Sequence, residues 1–240
     1  MKGYGYEEGK ATNCVRGVIS PLLANIYLHY VLDLWFEKKI RKQLRGKAHL
    51  VRYCDDFVIL FERPEDLEEV QVLMRVRLAQ FGLTMADEKT HTTDLRPLFQ
   101  GSGPRRRRMT FLGFDIFRSR CRNGVGWKLT FKTEGKRFAR SKHRMKEILH
   151  RIMHWPLENQ AKRINSLLVG HYNYYGVAGN SRRLARFHYE VILYWKRCLS
   201  QRSQKGRLNW SEMRAILSKH RLAGPRIKLP YGELTAYVRL

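Results

Sequence analysis

Two adjacent carboxylates, Asp55 and Asp56, stand in the run HLVRYCDDFVILFE. The β-branched and aromatic residues on both sides predict two short strands joined by a tight turn. Like charges held a few ångströms apart raise one another's pKa, so a pair at such an apex needs a cationic neighbour. Divalent metal suits the need: Mg²⁺ is a hard ion, usually held by one or two carboxylates together with substrate phosphates and water. A bare Asp-Asp pair is more often an ordinary polar turn, so the surrounding elements have to decide between the two.

Those elements are legible in outline. The run SPLLANIYLHYVLDLWFEKKIRKQL begins with Ser20 as an N-cap candidate and Pro21 at the first helical position. It carries Leu23, Ile26, Tyr27, Tyr30, Val31 and Leu34 at helical spacing, which predicts a long buried helix. Pro64 opens a second helix with acids in its first turn, apolar Leu67, Val70, Leu73, Leu78 and Phe81, and Gly82 as its stop. The segment LTMADEKTHTTDL predicts a strand with an embedded polar turn. MTFLGFDIF and VGWKLTFKT predict a hairpin separated by Arg118–Gly126. Beyond about Lys136 three basic helices are expected, near 137–155, 157–175 and 182–202, then a shorter one at 211–220 and a Gly/Pro-bearing tail.

The charge is unevenly placed. The 240 residues hold 47 Lys+Arg against 21 Asp+Glu, a formal net charge of +26. Residues 1–103 hold 15 basic and 14 acidic side chains, whereas residues 104–240 hold 32 and 7. With 43% hydrophobic residues the chain can bury a core, so this basicity belongs to a folded segment and implies a polyanion, most commonly nucleic acid. An anionic membrane surface is the competing reading. Cys14, Cys54, Cys121 and Cys198 are scattered without CxxC spacing, which supports neither a disulfide framework nor a zinc site and fits a cytoplasmic location. Neither a secretory signal nor a membrane span is expected, since the stretch 17–32, free of Asp, Glu, Lys and Arg, is short and polar.

Tyr53-Cys54-Asp55-Asp56, preceded by GVISPLLANIYLHYVLD and a short basic loop, resembles the palm of reverse transcriptases encoded by group II introns. Asp87-Glu88-Lys89-Thr90 is similar to the P-E-K-T segment of that family, and Phe111-Leu112-Gly113-Phe114 to its F-L-G-F hairpin. GHYNYYGV at 170–177, with Asn180-Ser181 and the helix through Tyr189 and Trp195, resembles its thumb or maturase domain. For His171, Tyr172 and Tyr175 a helix-packed core is the favoured reading.

The resemblance implies an α+β fold: a partial palm over 1–118, a hairpin connector over 119–136, an all-α basic thumb or maturase bundle over 137–205, and a short helix with tail over 206–240. It implies an RNA-directed DNA polymerase, a nucleotidyltransferase that uses two Mg²⁺ about 3.5–4 Å apart. Its partners would be structured intron RNA, an RNA template with DNA primer, and deoxynucleoside triphosphates. Asp55 and Asp56 would be the metal ligands and catalytic pair, Tyr53 would lie beside the primer end, and Lys89 near the triphosphate. A lysine in an exposed turn explains Lys89 equally well. The phosphate-contact candidates are Arg105, Arg106, Arg107, Arg108, Arg137, Arg140, Lys142, Arg144, Arg182, Arg183 and Arg186.

Two departures qualify that expectation. The metal site of the family takes another aspartate from an earlier palm strand, yet residues 1–16 contain only Glu7 and Glu8 as acids. Cys14-Val15-Arg16 stands where the family has a Pro-Gln-Gly triplet lining the nucleotide pocket. The expectation is therefore a two-metal site incomplete in this chain, needing an N-terminal companion for polymerisation. The alternative is a non-catalytic basic module that binds intron RNA.

Overall fold

Pro21 lies in the first turn of α1 (Ser20–Leu28), where its missing N–H costs no helical bond. In this computed structural model, which describes residues 19–86, 88, 90–95, 107–121, 124–202 and 206–236, the chain divides into two compact units, Met1–Thr92 and Thr93–Leu240. Small antiparallel sheets flanked by helices make it an α+β chain.

In the first unit, α1 runs on through π-helical turns at His29–Asp33 and Phe36–Ile40 into α2 (Arg41–Gln43). Strands β1 (Ala48–Tyr53) and β2 (Asp56–Phe61) pair antiparallel, and α3 (Pro64–Gln80) follows. Strand alternation sends Ala48, Leu50 and Arg52 to one face, opposite Phe61, Ile59 and Phe57. That face meets Val31, Leu32, Phe36 and Ile40 of the first helical segment and Val70, Met74 and Leu78 of α3. His49, Val51 and Tyr53 emerge on the opposite, exposed face.

The expected burial of the first helix holds only in part. No residue of α1 is buried, and Leu23, Ile26, Tyr27 and Tyr30 are exposed. Burial begins at Val31, because the hairpin and α3 cover the helical segment from there on. The strand expected within 83–95 is absent among the described residues. Thr90 instead donates both its N–H and its hydroxyl to the Ala86 carbonyl, at 3.0 and 2.9 Å, a local turn that competes with sheet pairing.

The second unit opens with a three-stranded antiparallel sheet of β3 (Met109–Phe111), β4 (Phe114–Arg120) and β5 (Trp127–Thr133). MTFLGFDIF is thus two strands, with Leu112 and Gly113, at φ 49° and 77°, forming the tight turn between them. Four longer helices follow: α4 (Gly135–Arg151), α5 (Leu157–Tyr175), α6 (Ser181–Ser200) and α7 (Trp210–Lys219). The expected tail also contains a short α8 (Tyr231–Ala236). Phe138, Met145, Leu149, Ile164, Leu168, Tyr172, Phe187 and Trp195 form one continuous helical core. Buried Asn180 fastens the sheet to it, accepting from the Thr133 N–H at 2.9 Å and donating to the Thr133 hydroxyl and the Tyr175 carbonyl, both at 2.8 Å.

Candidate metal-binding turn and basic helical faces

The β1–β2 hairpin has a two-residue connection, Cys54-Asp55, closed by the pair Tyr53 and Asp56. Cys54 adopts φ 55°, a left-handed backbone that costs an L-residue with a Cβ about 1–2 kcal/mol. Asp55 and Asp56 are both exposed at this tip. Tyr53 is 62% exposed and, as the cross-strand partner of Asp56, stands on the same face of the hairpin.

The tip is tethered from below by Arg52, whose side chain is only 12% exposed. Its Nε and Nη2 grip the two oxygens of Asp33 at 2.8 and 2.6 Å. Its Nη1 donates to Asn25 Oδ1 and to the Cys54 carbonyl, both at 2.8 Å. The Arg52 hydrogen bonds hold the Asp33 carboxyl below its ordinary pKa against the opposing cost of burial, and the same pairing raises the pKa of Arg52. Sequence reasoning weighed Asp33 only as a substitute metal ligand, set it aside because it lies one helix further on, and gave Arg52 and Asn25 no role. The available signal was a lone cation at an inward-facing position of an otherwise apolar strand face.

Two adjacent carboxylates are hard oxygen donors of the kind Mg²⁺ takes, and their exposure leaves room for phosphate and water. Among the described residues no group of three or more His, Cys, Asp or Glu comes together. The pair therefore fits as a partial donor set, to be completed by substrate phosphates, water or a ligand from outside the described residues.

The basic candidates fall into distinct environments. Arg107 pairs with Asp94, and Arg108 lies 3.5 Å from the buried Asp115 carboxylate. Arg137 is 3.9 Å from Glu134. Lys142 and Arg186 share Glu190, at 3.6 and 3.7 Å. The Arg183 guanidinium lies over the Phe138 ring at 4.7 Å, a packing role. Arg140, Arg144 and Arg182 are exposed, and among the described residues no carboxylate lies within ion-pairing distance of them. On α4, Arg137, Arg140 and Arg144 recur at i, i+3 and i+7 and so share one face. Lys89, Arg105 and Arg106 lie outside the described residues.

The aromatic run of α5 serves packing. His171 stacks on Phe187 with ring centres 4.0 Å apart, and Tyr172 is buried. Tyr175 lies against Phe114, and its hydroxyl would stand 3.3 Å from any Cβ at position 113, which with the positive φ there accounts for Gly113. Tyr174, which the sequence did not single out, stacks on Phe114 and donates its hydroxyl to the Leu112 carbonyl at 2.9 Å.

Among the described residues no helix is long and apolar enough to cross a membrane. No curated protein matches the chain. The segment that holds the carboxylate turn is similar to the reverse transcriptase (RNA-dependent DNA polymerase) family, whose model matches residues 15–116.

Proposed function

We propose that the chain is a portion of a group II intron reverse transcriptase/maturase that binds structured intron RNA and assists its splicing. Residues 1–118 would be palm, 119–136 a connector, 137–205 thumb or maturase bundle, and 206–240 a short helix and tail. The observation that carries this reading is the placement of Asp55 and Asp56, exposed together at a hairpin tip, inside the segment that matches the reverse transcriptase family.

In this reading Asp55 and Asp56 hold Mg²⁺. The ion would supply the positive charge that offsets the charge developing on a phosphoryl group as it is transferred. Tyr53, exposed on the same face as Asp56, offers a ring and hydroxyl to the primer end. Lys89 is the proposed contact to the nucleoside triphosphate. Template-dependent primer extension with added Mg²⁺ and an N-terminal palm and fingers segment supplied as companion tests the assignment directly. Asp55→Asn should abolish extension, whereas equal rates for variant and wild type would remove Asp55 from any catalytic role.

A second reading is favoured by one observation, that residues 104–240 hold 32 Lys+Arg against 7 Asp+Glu. We infer from it that the chain acts as a non-catalytic RNA-binding module of the same ancestry, with polymerisation depending on an N-terminal companion that supplies further ligands. Each phosphate neutralised by Lys or Arg releases counterions, so RNA affinity should fall steeply with salt. A flat plot of log affinity against log salt would exclude this module.

A further inference from the structure

We propose that Arg52 is a positioning residue for the Asp55–Asp56 turn, acting through the Cys54 carbonyl while Asp33 and Asn25 hold it in place. The inference rests on the reading of that turn as a metal site. It begins with a placement that is costly unless used: strand alternation puts Arg52 on the same face as Ala48 and Leu50, opposite Phe57, where the hairpin packs on helices. A guanidinium there must be fully paired or pay for its desolvation.

Arg52 makes four hydrogen bonds, and their directions differ. Two run to Asp33 as a parallel fork, which fixes the plane of the guanidinium and not only its position. With the plane fixed, Nη1 points at two acceptors at once, Asn25 Oδ1 in α1 and the Cys54 carbonyl in the turn. Cys54 is the residue at φ 55°, immediately before Asp55. Two adjacent carboxylates, Asp55 in the exposed connection and Asp56 at the start of β2, would otherwise be free to repel one another and splay. Bonding the carbonyl of the strained residue fixes the peptide plane that joins Cys54 to Asp55, and so the direction in which Asp55 leaves the backbone.

The supporting residues are themselves specialised. Asp33 closes the π-helical turn His29–Asp33, and the wider π repeat alters which side chains share a face relative to a plain α-helix. His29 Nδ1 also reaches Asp33, at 3.4 Å. A lysine in place of Arg52 would supply the charge without the fork, so it could satisfy Asp33 without fixing the Nη1 bond to the turn.

The test is Mn²⁺ titration of the full chain, following free Mn²⁺ by electron paramagnetic resonance, for wild type, Asp55→Asn, Arg52→Gln, Arg52→Lys and Asp33→Asn. Near-ultraviolet circular dichroism of each protein reports whether its fold is retained. Asp55→Asn should lose binding. Arg52→Gln and Asp33→Asn should weaken it by about 10–100-fold, the cost of losing groups that orient a metal ligand, and Arg52→Lys should weaken it while keeping the native dichroism. If Asp55→Asn binds as wild type does, or wild type binds no Mn²⁺, the metal-site reading falls and the positioning role falls with it. If Asp55→Asn loses binding while natively folded Arg52→Lys and Asp33→Asn keep wild-type affinity, the positioning role alone is overturned. Should Arg52→Gln unfold, the comparison of the Lys and Asn variants decides the question.

Discussion

Tyr174 donates its hydroxyl to the carbonyl of Leu112 at 2.9 Å, and Leu112 is one of two described non-glycine residues with a left-handed backbone. The other is Cys54, whose carbonyl accepts from Arg52. The β1–β2 and β3–β4 turns thus each contain one strained non-glycine residue, and in both a side chain bonds that residue's carbonyl. A left-handed non-glycine residue persists only where its surroundings over-determine it. In both turns the over-determining group is a donor placed by a helix or by the strand itself, with the helical residues Asp33 and Asn25 bracing Arg52.

Tyr174→Phe keeps the ring stacked on Phe114 and removes only the bond to Leu112. Because Tyr174 is 54% exposed, water partly replaces the lost partner, and the expected cost is about 0.5–1 kcal/mol. Leu112→Gly should act in the opposite direction by relieving the backbone, by about 1 kcal/mol. Urea unfolding of both variants checks the pair of signs. A Tyr174→Phe variant more stable than wild type would mean the bond does not support the turn.

The buried amide of Gln160 carries more. It donates to the carbonyls of Met153 and Trp155 at 3.0 and 2.8 Å and accepts from Trp195 Nε1 at 2.7 Å. Gln160→Leu preserves volume but strips the indole N–H of its acceptor and both carbonyls of a donor, although Arg202 also reaches those carbonyls. A loss of about 2–4 kcal/mol follows from the unpaired indole and the weakened loop. Trp195→Phe in the Gln160→Leu background should cost less than in wild type, since the indole bond is already gone. Strict additivity of the two substitutions in urea unfolding would contradict the coupling.

The helices were the most legible part of the fold, because each carries its own signals. Pro64 and Gly82 bracket α3, and apolar spacing marks α4 to α6 as amphipathic. The Tyr53–Asp56 turn was legible for a similar reason, its strands being uninterrupted on either side. What escaped depends on partners distant in sequence. Whether Leu23 and Ile26 are buried depends on what covers α1, and whether 83–95 forms a strand depends on a neighbour to pair with. The split of MTFLGFDIF depends on Leu112 accepting a left-handed backbone that Tyr174 secures from 62 residues away. The pairing of Arg52 with Asp33 and Asn25 was unreadable on the same grounds, since 19 and 27 residues separate the partners.

Acid should weaken the second unit through two histidines. Burial pushes the His171 imidazole down to about 4 and lowers that of His188 as well, and among the described residues the buried Nε2 atoms of both find no partner. A base whose folded pKa is depressed favours the folded state while neutral. The contribution is therefore fully present above the unfolded value near 6.5 and is lost as pH falls from there through 4. For His171 the span corresponds to up to about 3 kcal/mol. Urea midpoints of wild type and His171→Leu at pH 7.5 and pH 4.5 provide the check. The loss between the two pH values should be smaller in the variant, and equal losses would remove His171 from the account.

The exposed arginines give the sharpest prediction about the polyanion. Arg140 and Arg144 share a face of α4, and among the described residues neither has a carboxylate partner, so bound phosphate meets no internal competitor there. Arg108 already lies against Asp115, and Arg186 against Glu190. Replacing Arg140 and Arg144 together by Gln should weaken binding of a structured RNA and reduce the slope of log affinity against log salt by about 2, one unit per lost phosphate contact. The matched double variant of Arg108 and Arg186 should change that slope less, because each guanidinium gives up a carboxylate to reach RNA. Unfolding is a poor explanation for either result, since all four side chains are surface-exposed and such changes usually fall within about 0.5 kcal/mol. Identical slopes for the two double variants would show that ion pairing within the protein does not select which arginines meet the nucleic acid.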